Sequence, residues 1–175
     1  MSRASRRNEK LADIVRDSSG SYVYTGEMYT LTGDARGQRL RFGAILAALA
    51  ACVIGSGCID AAGANNAFYV ILPLIGEVSA LFALCWNAVK VIRAGEGLRK
   101  YHYGSVSRVI PGACRVLTVF ALFGLIASVS YLLRFGLGGL PVKSVAYPAL
   151  KVLAAALAER CGRFYRALEW EKTAS

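Results

Sequence analysis

Histidine is nearly missing from this sequence: His102 is the only one in 175 residues. A metal centre would have to do without the commonest protein ligand. Cysteine does not fill the gap. Cys52, Cys58, Cys85, Cys114 and Cys161 include no C-x-x-C pair, the spacing that announces a zinc site or redox motif. Acidic residues are also scarce, 11 against 21 Lys and Arg. They do not gather with histidine, serine or cysteine, as a membrane enzyme acting on lipid requires. The expectation is a non-enzymatic chain without metal or cofactor, its free thiols packed among helices.

Apolar residues, by contrast, come in long blocks. Hydrophobic types make up 55% of the chain and charged types 18%. Phe42–Ile59 runs 18 residues without a charge, Ala67–Val89 runs 23 with one, Glu77, and Val116–Leu133 runs 18 with none. Each approaches the ~20 apolar residues that cross a hydrocarbon core about 30 Å thick. A fourth segment, Ser144–Ala158, is shorter and contains Lys151.

The net charge of +10 suggests nucleic acid only until its distribution is considered. Lys and Arg number eight in Met1–Arg41, none in Asp60–Asn66, six in Lys90–Arg115, two in Arg134–Lys143 and four in Glu159–Ser175. High and low values alternate across the apolar segments, which is the positive-inside pattern. The fold expected is an all-α integral membrane protein, a four-transmembrane-helix bundle with both termini inside. Its helices fall at about 42–59, 67–90, 114–133 and 143–160 within a membrane domain at 42–158. Residues 1–41 are then a basic cytoplasmic segment and 159–175 a cytoplasmic tail. The alternative is three spans plus an interfacial amphipathic C-terminal helix. Location in the cell (plasma) membrane follows, with a cytoplasmic N-terminus. The partners expected are the lipid bilayer, with anionic headgroups meeting cytoplasmic Lys and Arg, and other membrane subunits or further copies of the chain. Nucleic acid is not expected.

Leu49-Ala50-Ala51-Cys52 has the form of a lipoprotein cleavage box, but 41 residues precede its apolar run, too many for a signal-peptide leader. The first segment reads as an uncleaved anchor. Upstream, Leu11, Ile14 and Val15 are spaced for a short surface helix. Tyr22–Leu31 is rich in β-formers around Gly26 and reads either as a hairpin or as tyrosines settled at the headgroup layer. An isolated two-stranded hairpin is marginal in water, which favours the second. Thr32–Gly37 and Gly95–Gly104 read as loops, and Pro111-Gly112 as the start of the third helix.

Two features of the spans are candidates for function. In the first, Gly43, Ala47, Ala51 and Gly55 recur every fourth residue beside a second row, Ala44, Ala48, Cys52 and Ser56. Such spacing lets another helix backbone approach closely, either a partner's or one of the chain's own. In the fourth, Lys143, Tyr147, Lys151, Ala155, Glu159 and Arg163 form a polar stripe. A central lysine costs roughly 2.5–3.5 kcal/mol to insert, so that segment needs a partner for Lys151. Glu77 is the candidate. At ~1.5 Å rise per residue, Glu77 and Lys151 both fall close to the bilayer midplane. Pro73 and Pro148 precede them, each freeing a helical carbonyl and kinking its helix. The pair has two readings: a structural clasp in a subunit or scaffold of a membrane complex, or part of a path in a small transporter or channel.

Overall fold

Asp34 starts the first helix. Its side chain accepts a hydrogen bond from the Gly37 N–H at 2.9 Å, the usual service of an aspartate ahead of a helix. Gly33, at φ +75°, supplies the left-handed turn into it. The computed structural model describes residues 14–16, 22–59, 67–95, 97–135 and 141–173. Four helices dominate: α1 (Ala35–Cys58), α2 (Phe68–Ile92), α3 (Lys100–Phe135) and α4 (Pro141–Arg166). Of these, α1, α2 and α3 are long and apolar enough to cross a membrane. The connections expected at 60–66 and 136–140 lie outside the described residues.

Two helices begin earlier than their apolar runs. α1 opens at Ala35, so Ala35, Arg36 and Gly37 are helical rather than loop, and Gln38, Arg39 and Arg41 belong to the same helix. Arg39 repays this by donating to the carbonyls of Ala94 and Gly95 just past α2, where helix ends leave acceptors unmet. α3 opens at Lys100 and runs through Pro111. Val106 and Ile110, one turn apart, are both fully buried. That amphipathic stretch is too polar to read as a span, yet it packs as a helix.

Five short strands complete the chain: β1 (Ile14–Arg16), β2 (Tyr22–Tyr24), β3 (Met28–Leu31), β4 (Leu98–Arg99) and β5 (Trp170–Thr173). Ile14 and Val15 are therefore extended, not helical, and Leu11 lies outside the described residues. The hairpin within Tyr22–Leu31 does not form. β2 pairs with β1, while β3 is the middle strand of a sheet ordered β4-β3-β5. A central strand with two partners satisfies both of its edges, which a lone hairpin cannot do. Gly97 fits this junction. Its φ is +137°, and a methyl there would lie 3.0 Å from Thr30 Cγ2 and 3.1 Å from the Tyr29 carbonyl oxygen.

Ring contacts and close approaches fix the helix directions. Phe42 at the start of α1 stacks on Phe164 near the end of α4, centroids 6.4 Å apart. A methyl on Gly43 would lie 3.7 Å from Ile92 Cδ1 at the end of α2. Tyr69, early in α2, meets Tyr131, late in α3, at 6.5 Å. Gly162 of α4 packs on Cys114 of α3. Each helix thus runs antiparallel to two neighbours, in the order α1-α2-α3-α4 and back to α1. The sheet closes the end where α1 and α3 start and α2 and α4 finish.

The distribution of polarity is inverted relative to a water-soluble fold. Glu77 and Lys151 are 0% exposed, while Phe82 is 72%, Ile126 62% and Phe123 57% exposed. So much large apolar surface facing outward is what lipid, not water, rewards. Three apolar helices that could span a membrane, with this surface, point to a membrane protein.

Candidate functional site: a buried lysine–glutamate pair and the cap above it

The helix register brings Glu77 of α2 and Lys151 of α4 together inside the helix cluster. Lys151 Nζ donates to both Glu77 carboxylate oxygens, at 2.8 and 2.9 Å. α2 and α4 each pack mainly against α3, so the lysine reaches across it. Gly124 of α3 makes room. A methyl there would lie 3.1 Å from Glu77 Oε1 and 3.3 Å from Lys151 Cε. The Tyr147 ring, one turn before Lys151, places its centroid 5.1 Å from the ammonium, within cation–π reach. Two hydroxyls on the same helix, of Ser144 and Tyr147, are buried without a hydrogen-bond partner.

Chemically, this is a bidentate, charge-assisted pair closed to solvent. A buried pair of this kind contributes little net stability against a well-packed apolar substitute, but losing one partner costs about 3–5 kcal/mol. Pro73 is buried one turn before Glu77 and Pro148 is half-buried three residues before Lys151. Both helices continue through their prolines.

Within the chain, the four residues Gly43, Ala47, Ala51 and Gly55 of α1 do not turn inward as one row. Gly43 and Gly55 are half-buried, the latter 3.7 Å from Leu150 Cδ1 as judged by an added methyl, whereas Ala47 and Ala51 are exposed. The inward face is formed by Leu46, Leu49 and Val53. Ala44, Ala47, Ala48 and Ala51 look outward together.

Above the helices, Glu27, just before β3, ties β5 to the first residue of α3. Its carboxylate meets Lys172 Nζ at 2.6 Å and Lys100 Nζ at 3.2 Å, and its backbone carbonyl accepts from the Lys100 N–H at 3.0 Å. Tyr29 stacks on Tyr103 at 4.1 Å and 5°, and Trp170 packs edge-on to Tyr103 at 5.5 Å. Segments before α1, between α2 and α3, and after α4 therefore form one basic cap. No protein family, no curated protein and no solved structure matches the chain.

The hydrogen bonds from Lys172 and then Lys100 hold the Glu27 carboxyl below its ordinary 4.5. A depressed acid stabilises the fold above its unfolded value, and that contribution fades as pH falls through the lower, folded one. The cap is thus expected to loosen as pH drops below about 4.5, read as faster proteolysis of the C-terminal strand. Glu27→Gln should be loose at neutral pH already and lose this pH dependence.

Among the described residues no group of three His, Cys, Asp or Glu is arranged to hold a metal. Cys114 of α3 and Cys161 of α4 are free, buried thiols. Gly124 and Glu27 were not singled out from sequence. Gly124 had a signal, since the depth count that matched Glu77 with Lys151 places it at mid-depth of the third span. Glu27 had only its rarity, as the sole acid in Tyr22–Leu31.

Proposed function

We propose that this chain is a four-span protein of the plasma membrane, N-terminus and C-terminus both cytoplasmic, acting as a non-enzymatic helical subunit or scaffold of a membrane complex. The position of β5 supports the fourth crossing. β5 follows α4 and pairs with β3, which precedes α1, so α4 has to return to the side from which α1 departs. Three spans plus a helix lying on the outer surface would leave β5 on the wrong side. The charge count agrees, since the cap gathers the three segments richest in Lys and Arg. Its exposed Arg36, Arg41, Arg93 and Arg99 suit anionic headgroups.

The observation that carries the scaffold reading is the sealed pair. The two charged side chains buried among the described residues are satisfied by each other at zero exposure, which suits a clasp that sets helix register. The outward row Ala44, Ala47, Ala48 and Ala51 offers a partner helix or a second copy close approach. Isolation of the full chain in mild detergent should yield a stoichiometric complex or homo-oligomer. Bulky substitution of Ala47 and Ala51 should dissociate it without unfolding the chain. A monomer from gently solubilised membranes would contradict the reading.

One observation favours a transporter or channel instead. The unpartnered hydroxyls of Ser144 and Tyr147 continue the polar layer from Lys151 along α4, as a proton or solute path would require. Flux into liposomes that disappears in Glu77→Gln would establish that reading.

A further inference from the structure

A groove of about 600 Å³ opens along the outer face of α4, lined by Ala156, Glu159, Arg160, Arg163, Phe164 and Ala167. Its character changes along the helix. Just before the groove on the same helix, Val152 and Leu153 are exposed and apolar; within it Ala156 is apolar, and Arg160 and Arg163 follow, also exposed. Arg160 lies nine residues beyond Lys151, or roughly 13 Å along the axis. With Lys151 near the midplane, that distance is close to half of a ~30 Å hydrocarbon core. The groove straddles the boundary between acyl chains and headgroups.

The charges favour an anion. Glu159 already binds Arg163 at 2.8 Å and Arg166 at 3.8 Å. Arg160 has no hydrogen-bond or ion-pair partner among the described residues. Three guanidinium groups, of Arg160, Arg163 and Arg166, against one carboxylate leave the region positive. Glu159 also restrains Arg163, so less side-chain freedom remains to be lost when a ligand arrives.

We propose that this groove holds one anionic glycerophospholipid from the surrounding bilayer, its phosphodiester on Arg160 and Arg163 and an acyl chain along Val152, Leu153 and Ala156. The guanidinium fork matches the paired oxygens of a phosphodiester. A choline or ethanolamine headgroup would bring a cation against the same arginines. The assignment rests on the four-span reading, which sets the depth of Arg160.

The test is native mass spectrometry of the full chain released from nanodiscs of equimolar phosphatidylglycerol and phosphatidylcholine. The wild type should retain one phosphatidylglycerol in preference to phosphatidylcholine. Arg160→Gln with Arg163→Gln should lower that retention about tenfold, as expected for losing charge-assisted bonds worth about 1.4 kcal/mol. Arg108→Gln with Arg134→Gln, which removes equal charge from exposed positions elsewhere on the helices, should leave it unchanged. Equal losses in both double variants would mean diffuse attraction and overturn the site, as would retention without headgroup preference. A tag after Ser175, mapped in the same variants, separates the two claims. With the tag inside, a failed lipid result sinks only the site, whereas a tag outside removes the four-span reading and the site together.

Discussion

Lys151→Met should destabilise the protein by about 3–5 kcal/mol, and adding Glu77→Gln should restore most of that loss. The single change leaves a carboxylate at zero exposure with its two oxygens unserved. It must then take up a proton or draw water between the helices, and either route costs the folded state. Glu77→Gln alone strands an ammonium and should also destabilise. The double variant leaves an amide and a thioether of similar volume, a replacement that is often neutral or better for a buried ion pair. Denaturation in mixed micelles across the four proteins gives the coupling directly. A double variant no better folded than the sum of the singles would mean that the two charges do not act as a unit.

Gly124→Leu should cost about 1–3 kcal/mol or more, because overfilling a packed interior displaces whatever already occupies it. What occupies it here is the ion pair: the first atom of any side chain meets Glu77 Oε1 at 3.1 Å and Lys151 carbons at 3.3 and 3.5 Å. Gly124→Ala should be milder, since the end of a lysine chain can yield by a few tenths of an ångström. The informative comparison is with Lys151→Met. If Gly124→Leu acts by forcing the pair apart, the two losses will be less than additive. Full additivity would place the effect of Gly124 elsewhere.

The helices and the charge pair were legible because lipid imposes simple rules. Long charge-free runs mark crossings, and an unpaired charge at mid-depth is costly enough that Lys151 pointed to Glu77 by depth alone. The same depth count, applied to the third span, reaches Gly124. The cap followed no such rule. β4 has two residues, and β3 and β5 are 139 positions apart in register at Leu31 and Trp170. No local pattern announces strands so short and distant, so Tyr29 read as a headgroup-layer tyrosine and Trp170 drew no reading, although both contact Tyr103. The early starts of α1 and α3 were hidden likewise. Their first turns are polar, and they are held by a cap residue, by Arg39 and by the buried pair Val106 and Ile110 rather than by hydropathy. On α1 the regular small residues were visible, but a four-residue period cannot say which face turns inward. Leu46, Leu49 and Val53 decided that.

Everything about the pair depends on the last helix passing back through the bilayer. The direct test is to place one epitope before Met1 and another after Ser175 and stain intact and permeabilised cells. Both epitopes should become reachable only after permeabilisation, because β3 and β5 share one sheet and the segments around it are the most basic of the chain. Antibody binding to the C-terminal epitope on intact cells, with the N-terminal one still hidden, would put α4 outside the membrane and leave Lys151 unable to meet Glu77.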